Sequence, residues 1–407
     1  MVICPSFDGK FHIDIENAEG AKTVCRGLKG VNKAIKMSKK GVKTVHLTSI
    51  RFPFYPDQLH QVEKRKEILG AELPKFAYRH GIWAAPYPYP EVRKVLKEFC
   101  PDVIHLQTAE TIALAIRTYA RRYRVPLVST GHAYPDNITD QFKLLKPVKR
   151  PLNVVIKSYM NSFLKHAEYA TMPTEMAIND LIPKGKKKFS VPVEALSNGV
   201  DLTAYKPGKC STELMLKYGV EPASQRMIYV GRVDPEKSIG VVVRAFKKAL
   251  KEVPEAKFLI IGDGTDKQNL EELVAELGVS ESVQFLGRIL PPDLCELYRT
   301  GDFFATASTT ETQGIVLIEA AATGLPLIAV DAGAVRELCQ DKRNGILCKP
   351  YDEGGMAKAM VKLFTDEELR GKYSKGSVEV AALHDLNRTL SRFEEIYQEA
   401  IATKIAE

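Results

Sequence analysis

Residues 302–330 alternate in a way that leaves few folds open. The apolar run Asp302-Phe303-Phe304-Ala305-Thr306 leads into a polar loop. The helical stretch Ile315-Val316-Leu317-Ile318 follows, and then, from Gly324 onward, Leu325-Pro326-Leu327-Ile328-Ala329-Val330. That order reads as strand, loop, helix, strand, a parallel α/β crossover. Two carboxylates, Glu311 and Glu319, bracket the helix start, with Gly314 between them. The first N–H groups of a helix are unpaired and lie at the positive end of its dipole, so this entry suits an anion such as phosphate. Gly314 lets the backbone approach a ligand closely. Glu319 falls about a turn and a half inside the helix, so a ligand lying over the helix start meets a carboxylate at each end. Carboxylates accept hydrogen bonds from sugar hydroxyls. A nucleotide-sugar fits, with its diphosphate on the helix, ribose at one acid and hexose at the other. A buried crossover with two surface glutamates fits the same local pattern.

Other segments tilt the balance. The strand-like run Met227–Val230 ends in Gly231-Arg232-Val233-Asp234-Pro235-Glu236-Lys237, which puts two cations in a turn before a helix. A guanidinium grips a diphosphate as a fork and an ammonium as a point charge. Phe258-Leu259-Ile260-Ile261 runs into Gly262-Asp263-Gly264, and Val283-Gln284-Phe285-Leu286-Gly287 into Arg288. Strand and helix patterns alternate along the whole chain, which argues for parallel sheets flanked by helices. In the first half, a helix carrying Val24, Leu28, Val31 and Ile35 on one face is expected before the strand Lys43–Thr48. Strands are expected at 102–106, 125–129, 168–172 and 193–196, with a helix over about 109–122. Gly199, Pro207, Gly208 and Pro222 punctuate the chain between Ser197 and Ser224. Two domains follow, residues 1–200 and 201–385, consistent with a length of 407 residues.

Composition narrows the classes further. No apolar run is long enough to cross a bilayer, and the opening residues carry no basic start with a long apolar core, so no secretory signal is expected. Seven cysteines are scattered without a Cys-x-x-Cys or Cys/His cluster, which argues against structural zinc and a disulfide framework and for a reducing cytoplasm. Residues 1–200 hold 32 Lys and Arg against 18 Asp and Glu, while the remainder holds 26 against 32. A basic first half suggests an anionic partner on that side. Nucleic acid is a poor fit, because no binding module or aromatic-basic interleaving is present. The segment Lys143-Leu144-Leu145-Lys146-Pro147-Val148-Lys149-Arg150 precedes a helix with Leu152, Ile156, Tyr159 and Phe163 at helical spacing. That helix either lies on anionic lipid, peripherally at the inner face of a cytoplasmic membrane, or packs its stripe into the domain core.

The segments together resemble a known family. From about Pro192 onward the chain is similar to the C-terminal half of the retaining GT-B glycosyltransferases of the large family four group. The likeness is carried by Ser197-Asn198-Gly199-Val200-Asp201, by Gly231-Arg232 with Lys237, by Glu311 and Glu319, and by Asn344-Gly345. The Glu311-Thr312-Gln313-Gly314 variant resembles the subgroup that glucosylates diacylglycerol; most members carry a bulky or aromatic residue where Gln313 stands. The first half resembles the family through Val128-Ser129-Thr130-Gly131-His132 and Met172-Pro173-Thr174-Glu175.

This resemblance implies an α/β GT-B fold, two Rossmann-like domains facing across a cleft, with a C-terminal helix (386–407) packing back on the first. It implies transfer of a hexose, glucose in the nearest subgroup, from a nucleotide-sugar to a lipid such as diacylglycerol. The alternative is a mannosyl- or other hexosyltransferase with a polyprenyl-linked, phosphoinositide or soluble glycan acceptor. Arg232 and Lys237 would bind the donor diphosphate, Glu311 the hexose and Glu319 the ribose. The N–H groups of Gly314, Ile315 and Val316 would cradle the phosphates, and Gly231, Gly262, Gly264 and Arg288 would complete the donor side. His132 would reach the donor from the first domain. No cofactor or metal is implied, and the leaving phosphate would take the acceptor proton in a front-face attack. The family opens with a strand, a Gly-Gly loop and a helix; here only Gly20 matches that loop.

Overall fold

The computed structural model describes residues 88–107, 111–132, 149–181, 189–221 and 225–406, together with the backbone of strands at 2–5, 12–16, 22–26, 42–47, 50–52 and 82–84. The opening strands β1 (Val2–Pro5), β2 (His12–Glu16), β3 (Lys22–Arg26) and β4 (Val42–Leu47) form a sheet in the order β1-β4-β2-β3. β1 runs parallel to β4, whereas β2 is antiparallel to both of its neighbours. A short antiparallel pair, β5 (Ile50–Phe52) with β6 (Ile82–Ala84), follows.

One expectation is corrected here. Val24 does not open a helix; it lies in β3, opposite Asp14 of β2. The local run Lys-Thr-Val-Cys-Arg is short and β-branched at its centre, which suits a half-buried strand and outweighs the longer helical spacing. Leu28, Val31 and Ile35 lie outside the described residues, as does Gly20, which falls between the two antiparallel strands in sequence.

The chain continues with α1 (Tyr89–Phe99), β7 (Ile104–Leu106), α2 (Thr111–Tyr123), β8 (Leu127–Thr130), α3 (Lys149–Leu164), β9 (Tyr169–Met172), α4 (Glu175–Leu181) and β10 (Val193–Ala195). β7 to β10 form a parallel sheet in the order β10-β9-β8-β7. After α5 (Thr212–Lys217) the next sheet begins. Its strands are β11 (Arg226–Val230), β12 (Lys257–Ile261), β13 (Val283–Gly287), β14 (Phe303–Ala305), β15 (Leu327–Val330) and β16 (Gly345–Cys348). They alternate with α6 (Ile239–Ala249), α7 (Lys267–Glu276), α8 (Asp293–Leu297), α9 (Ile315–Ala322) and α10 (Val335–Leu338), and α11 (Glu353–Thr365), α12 (Glu367–Ala382) and α13 (Leu386–Ala406) complete the chain.

This second parallel sheet has the order β13-β12-β11-β14-β15-β16. Its central strands are buried throughout, as expected for a parallel sheet covered on both faces. Val242, Phe246, Met360 and Leu363 pack one face, and Leu317, Ile318 and Ala321 the other. The direction of winding reverses between β11 and β14. In a doubly wound sheet the crevice beyond the strand ends at such a reversal is where ligands bind.

The C-terminal helix α13 packs on the first parallel sheet. Ile396 and Ala400 are buried against Val128 of β8. Arg392 donates to Glu194 and to the Tyr169 hydroxyl, and Lys404 pairs with Glu168 at 2.7 Å. The crossing itself is stitched by Val200 N–H to the His384 carbonyl (2.8 Å) and Leu386 N–H to the Val200 carbonyl (3.0 Å).

Candidate active site

The loops after β11 and β14 lie side by side at the winding reversal. The first loop turns through a short 3-10 segment, Pro235–Lys237, before α6. The second ends at Gly314, whose φ of 83° and ψ of 60° place it in the left-handed region at the start of α9. A Cβ there would come within 2.7 Å of the Leu317 side chain, so glycine fits for both space and conformation. The two loops meet in an ion pair: Lys237 Nζ donates to Glu311 Oε1 at 2.7 Å, with the two side chains 15% and 14% exposed. Two residues assigned separate tasks from sequence thus touch each other. Arg232 is held by Asp234 at 2.6 Å and by Glu236. Asp234 is buried and also accepts from the N–H and hydroxyl of Thr265, both at 2.9 Å. The turn after β12 therefore fixes the carboxylate that fixes Arg232.

Tyr229 lies beneath this cluster, fully buried. Its hydroxyl donates to the Arg232 carbonyl at 2.8 Å. Burial and then the nearby Glu311 charge push its pKa well up, so the phenol stays protonated as a donor. The strand-end glycines hold the turns together: Gly231 N–H bonds the Ile261 carbonyl at 3.0 Å and Gly262 N–H the Gly287 carbonyl at 2.8 Å. A Cβ on Gly264 would overlap the carbonyl of Val233. Arg288, directly after β13, is exposed.

Along α9, Ile315 is exposed and Val316 half-buried, so the first turn is open on one side. Glu319 is further in and half-buried. Its Oε2 accepts from Tyr298, itself fully buried, at 2.7 Å. Desolvation raises the Glu319 pKa, opposed by hydrogen bonds from Tyr298 and Tyr205. The tyrosines that hold Glu319 carry no motif and were not singled out from sequence.

Gln313, the residue that departs from the family pattern, is 3% exposed and points inward. Its Oε1 accepts from Asn198 Nδ2 (2.7 Å) and from Asn198 N–H (3.2 Å), and its Nε2 donates to Ser197 Oγ (2.5 Å). The loop bearing Glu311 is thereby tied to the linker between the sheets. Thr174, after β9, donates to the Thr312 carbonyl at 3.0 Å, and Met176 N–H donates to Glu337 at 2.8 Å. The Met172-Pro173-Thr174-Glu175 segment is thus a docking contact between the two halves.

His132 follows β8. Its Nε2 meets Gln107 Oε1 at 2.5 Å. Among the described residues, no hydrogen bond links it to Lys237, Arg232 or Glu311. Surrounding protein desolvates the ring enough to lower its pKa, although the residue is solvent-accessible.

The architecture and these loops have known counterparts. Residues 37–204 match a family model described as Glycosyltransferase Family 4, and residues 212–379 match one described as Glycosyl transferases group 1. Over 294 residues the chain is 29% identical to an alpha-monoglucosyldiacylglycerol synthase of Streptococcus pneumoniae, spanning 70% of this chain and 62% of that protein. Over 320 residues it is 28% identical to the Acholeplasma laidlawii protein of the same name, spanning 77% and 76%. Among solved structures, the crystal structure of Anabaena HepE in complex with UDP and glucose superposes with a TM-score of 0.63 at 22% identity, covering 76% of this chain and 81% of that one. The match spans less than two thirds of the pneumococcal relative's own length. Parallel sheets in two halves, with the loops meeting at a winding reversal, are the architecture of the GT-B fold, and both halves match glycosyltransferase family models. The chain belongs to the group 1 and family 4 glycosyltransferases.

Proposed function

We propose that the protein transfers glucose, with retention of configuration, from UDP-glucose to a membrane lipid such as diacylglycerol, giving an α-glycoside. One observation carries the donor half of this reading: Lys237 and Glu311 meet at the winding reversal, beside the open first turn of α9. An arriving diphosphate brings negative charge to Lys237 and to the N–H groups of Ile315 and Val316. Lys237 then turns its attraction from Glu311 to phosphate, which frees Glu311 Oε1 to accept from hexose hydroxyls. Arg232, kept in place by Asp234 and Glu236, adds a second cation for the departing nucleotide diphosphate. Charge that develops in the transition state is met by groups already ordered around it. Glu319, at the far end of the helix turn, takes the ribose hydroxyls. His132 reaches the donor when the halves close, and closure excludes water as a competing acceptor. The acceptor proton passes to the leaving phosphate. The chemistry is proposed to run without a divalent ion, because the two cations supply the charge a metal would.

The names of the relatives support the lipid acceptor. So does α3. Of its apolar stripe, Phe163 is buried and Ile156 lies against the core, while Tyr159 is 42% exposed. Val154 and Val155 are open as well, at 62% and 64% exposed, and Val155 lies one turn before Tyr159. They follow the basic segment 143–150 in sequence, a combination that suits an anionic bilayer surface. No described helix is long and apolar enough to cross a membrane.

The donor is tested by incubating the protein with a panel of nucleotide-sugars, with diacylglycerol in mixed micelles. UDP release from UDP-glucose, undiminished in EDTA, is the expected result. Turnover only with another nucleotide-sugar overturns the donor assignment, and loss in EDTA overturns the metal-free mechanism. In a second experiment, vesicles containing anionic lipid should carry the protein on flotation at low salt, and Val154→Asp with Val155→Asp should abolish this. Unchanged flotation of that variant removes α3 from the contact.

A further inference from the structure

A hydrogen-bonded chain runs from the C-terminal helix to His132. Tyr397 of α13 places its hydroxyl 2.8 Å from His105 Nδ1, and His105 Nε2 lies 2.6 Å from Thr130 Oγ1. Thr130 continues the chain to Thr171 Oγ1 at 2.6 Å, so β7, β8 and β9 are linked at their ends. Phe393, one turn before Tyr397, flanks the His105 ring at 5.0 Å between centroids. On the other side, the Gln107 amide nitrogen sits 3.1 Å from His105 Nε2 and 3.2 Å from Nδ1, while its carbonyl oxygen meets His132 Nε2 at 2.5 Å.

The polarity of the chain follows from chemistry. An amide oxygen only accepts, so His132 Nε2 carries the proton and Nδ1 is the acceptor nitrogen of the neutral ring. His105 stays neutral through the physiological range, because burial, and secondarily His132, hold its pKa down to about 4. The chain is continuous in the neutral His105 tautomer with its proton on Nδ1: that N–H donates to the Tyr397 oxygen, and the Nε2 lone pair faces the Gln107 amide N–H and the Thr130 hydroxyl. His105 therefore holds its charge state near neutrality, and desolvation moves His132 in the same direction.

We propose that Gln107, His105 and Tyr397 are positioning residues for His132: the C-terminal helix, through Tyr397 and His105, sets the Gln107 amide, and Gln107 fixes the orientation and tautomer of the His132 ring. The proposal rests on the reading of His132 as the first-domain group that reaches the donor. It gives the returning helix a task beyond covering apolar surface.

Gln107 is exposed, so Gln107→Leu removes the link without disturbing the core. Loss of one aligned hydrogen bond should lower kcat about tenfold and leave the donor KM unchanged. Tyr397→Phe should lower kcat in the same direction. A structural role would do either of these only through a loss of folding, which melting curves detect. The deciding measurement is a cycle: in a His132→Ala background, Gln107→Leu should have no further effect on kcat. Multiplicative losses overturn the proposal, as does a Gln107→Leu enzyme with wild-type kcat. The second readout needs no turnover. In full-length protein labelled with ¹⁵N-histidine, the His132 ring resonances should move in both Gln107→Leu and Tyr397→Phe, and unmoved resonances overturn the relay. If wild-type protein turns over no donor, or His132→Ala is fully active, the functional reading of His132 fails, while the resonance shifts decide the relay by themselves.

Discussion

Lys237→Ala is expected to reduce turnover by roughly 10- to 100-fold, because a charge-assisted contact to phosphate is worth about 1.5–3 kcal/mol. The structure adds a second consequence. Lys237 is the partner of Glu311, and only 14% of the Glu311 side chain is exposed. Removing the lysine leaves a largely enclosed carboxylate without its cation, so the variant should also melt at a lower temperature. Truncating one member of an enclosed pair costs more than the pair contributes, because the remaining charge keeps its desolvation penalty.

These two effects separate in the double variant Lys237→Ala, Glu311→Gln. Neutralising the orphaned acid should recover most of the lost melting temperature. It should recover none of the turnover, since the phosphate still lacks its cation and the hexose now lacks its carboxylate. Stability and activity would then move in opposite directions between the single and double variants. A Lys237→Ala enzyme with wild-type turnover removes Lys237 from the mechanism. A double variant that regains turnover would show instead that the unpaired acid, rather than the missing lysine, was the inhibitor.

The parts of the site readable in the sequence are those where one residue type does one job. Strands buried on both faces are continuous apolar runs, so β11, β12 and β15 are legible in the sequence close to their observed bounds. Gly314 and Glu319 declare a helix entry by their spacing. What could not be read depends on residues distant in the chain. Tyr298 and Tyr205 hold Glu319, but a buried tyrosine looks like core until its hydroxyl is seen to have a carboxylate partner. Gln313 was visible as a departure from the family; its bonds to Ser197 and Asn198 were not, because they join residues more than a hundred positions apart. His105 reads as an ordinary strand histidine until α13 brings Tyr397 to it. The first strands misled for a different reason. A β-branched strand of five residues is too short for its period of two to stand out against a helical spacing that runs on from Val24 in sequence.

Gly262→Ala is expected to be among the most damaging single substitutions in the chain, although it adds one methyl group. Gly262 has a φ of 149°, outside the range side-chain-bearing residues ordinarily adopt, and an added Cβ would overlap the Gly231 carbonyl oxygen. The clash is with backbone and no rotamer relieves it, so the turn carrying Arg232 must move. That displacement strains the Gly231 N–H bond to Ile261 and the Tyr229 hydroxyl bond to the Arg232 carbonyl. A loss of more than about 2 kcal/mol in unfolding free energy is expected, in the range of overpacking and backbone-strain variants. Donor affinity should fall with it, since the displaced turn holds both cations. Gly278→Ala is the control. Gly278 also has positive φ, 64°, but nothing lies within 4 Å of its Cβ position. It should cost only the conformational term, about 1 kcal/mol, with unchanged donor binding. Chemical denaturation of both variants, beside donor titration by calorimetry, measures the difference. Equal losses in the two would mean that backbone conformation alone sets the penalty at residue 262, and the close approach of the β11 and β12 turns would then not be what shapes the proposed donor site.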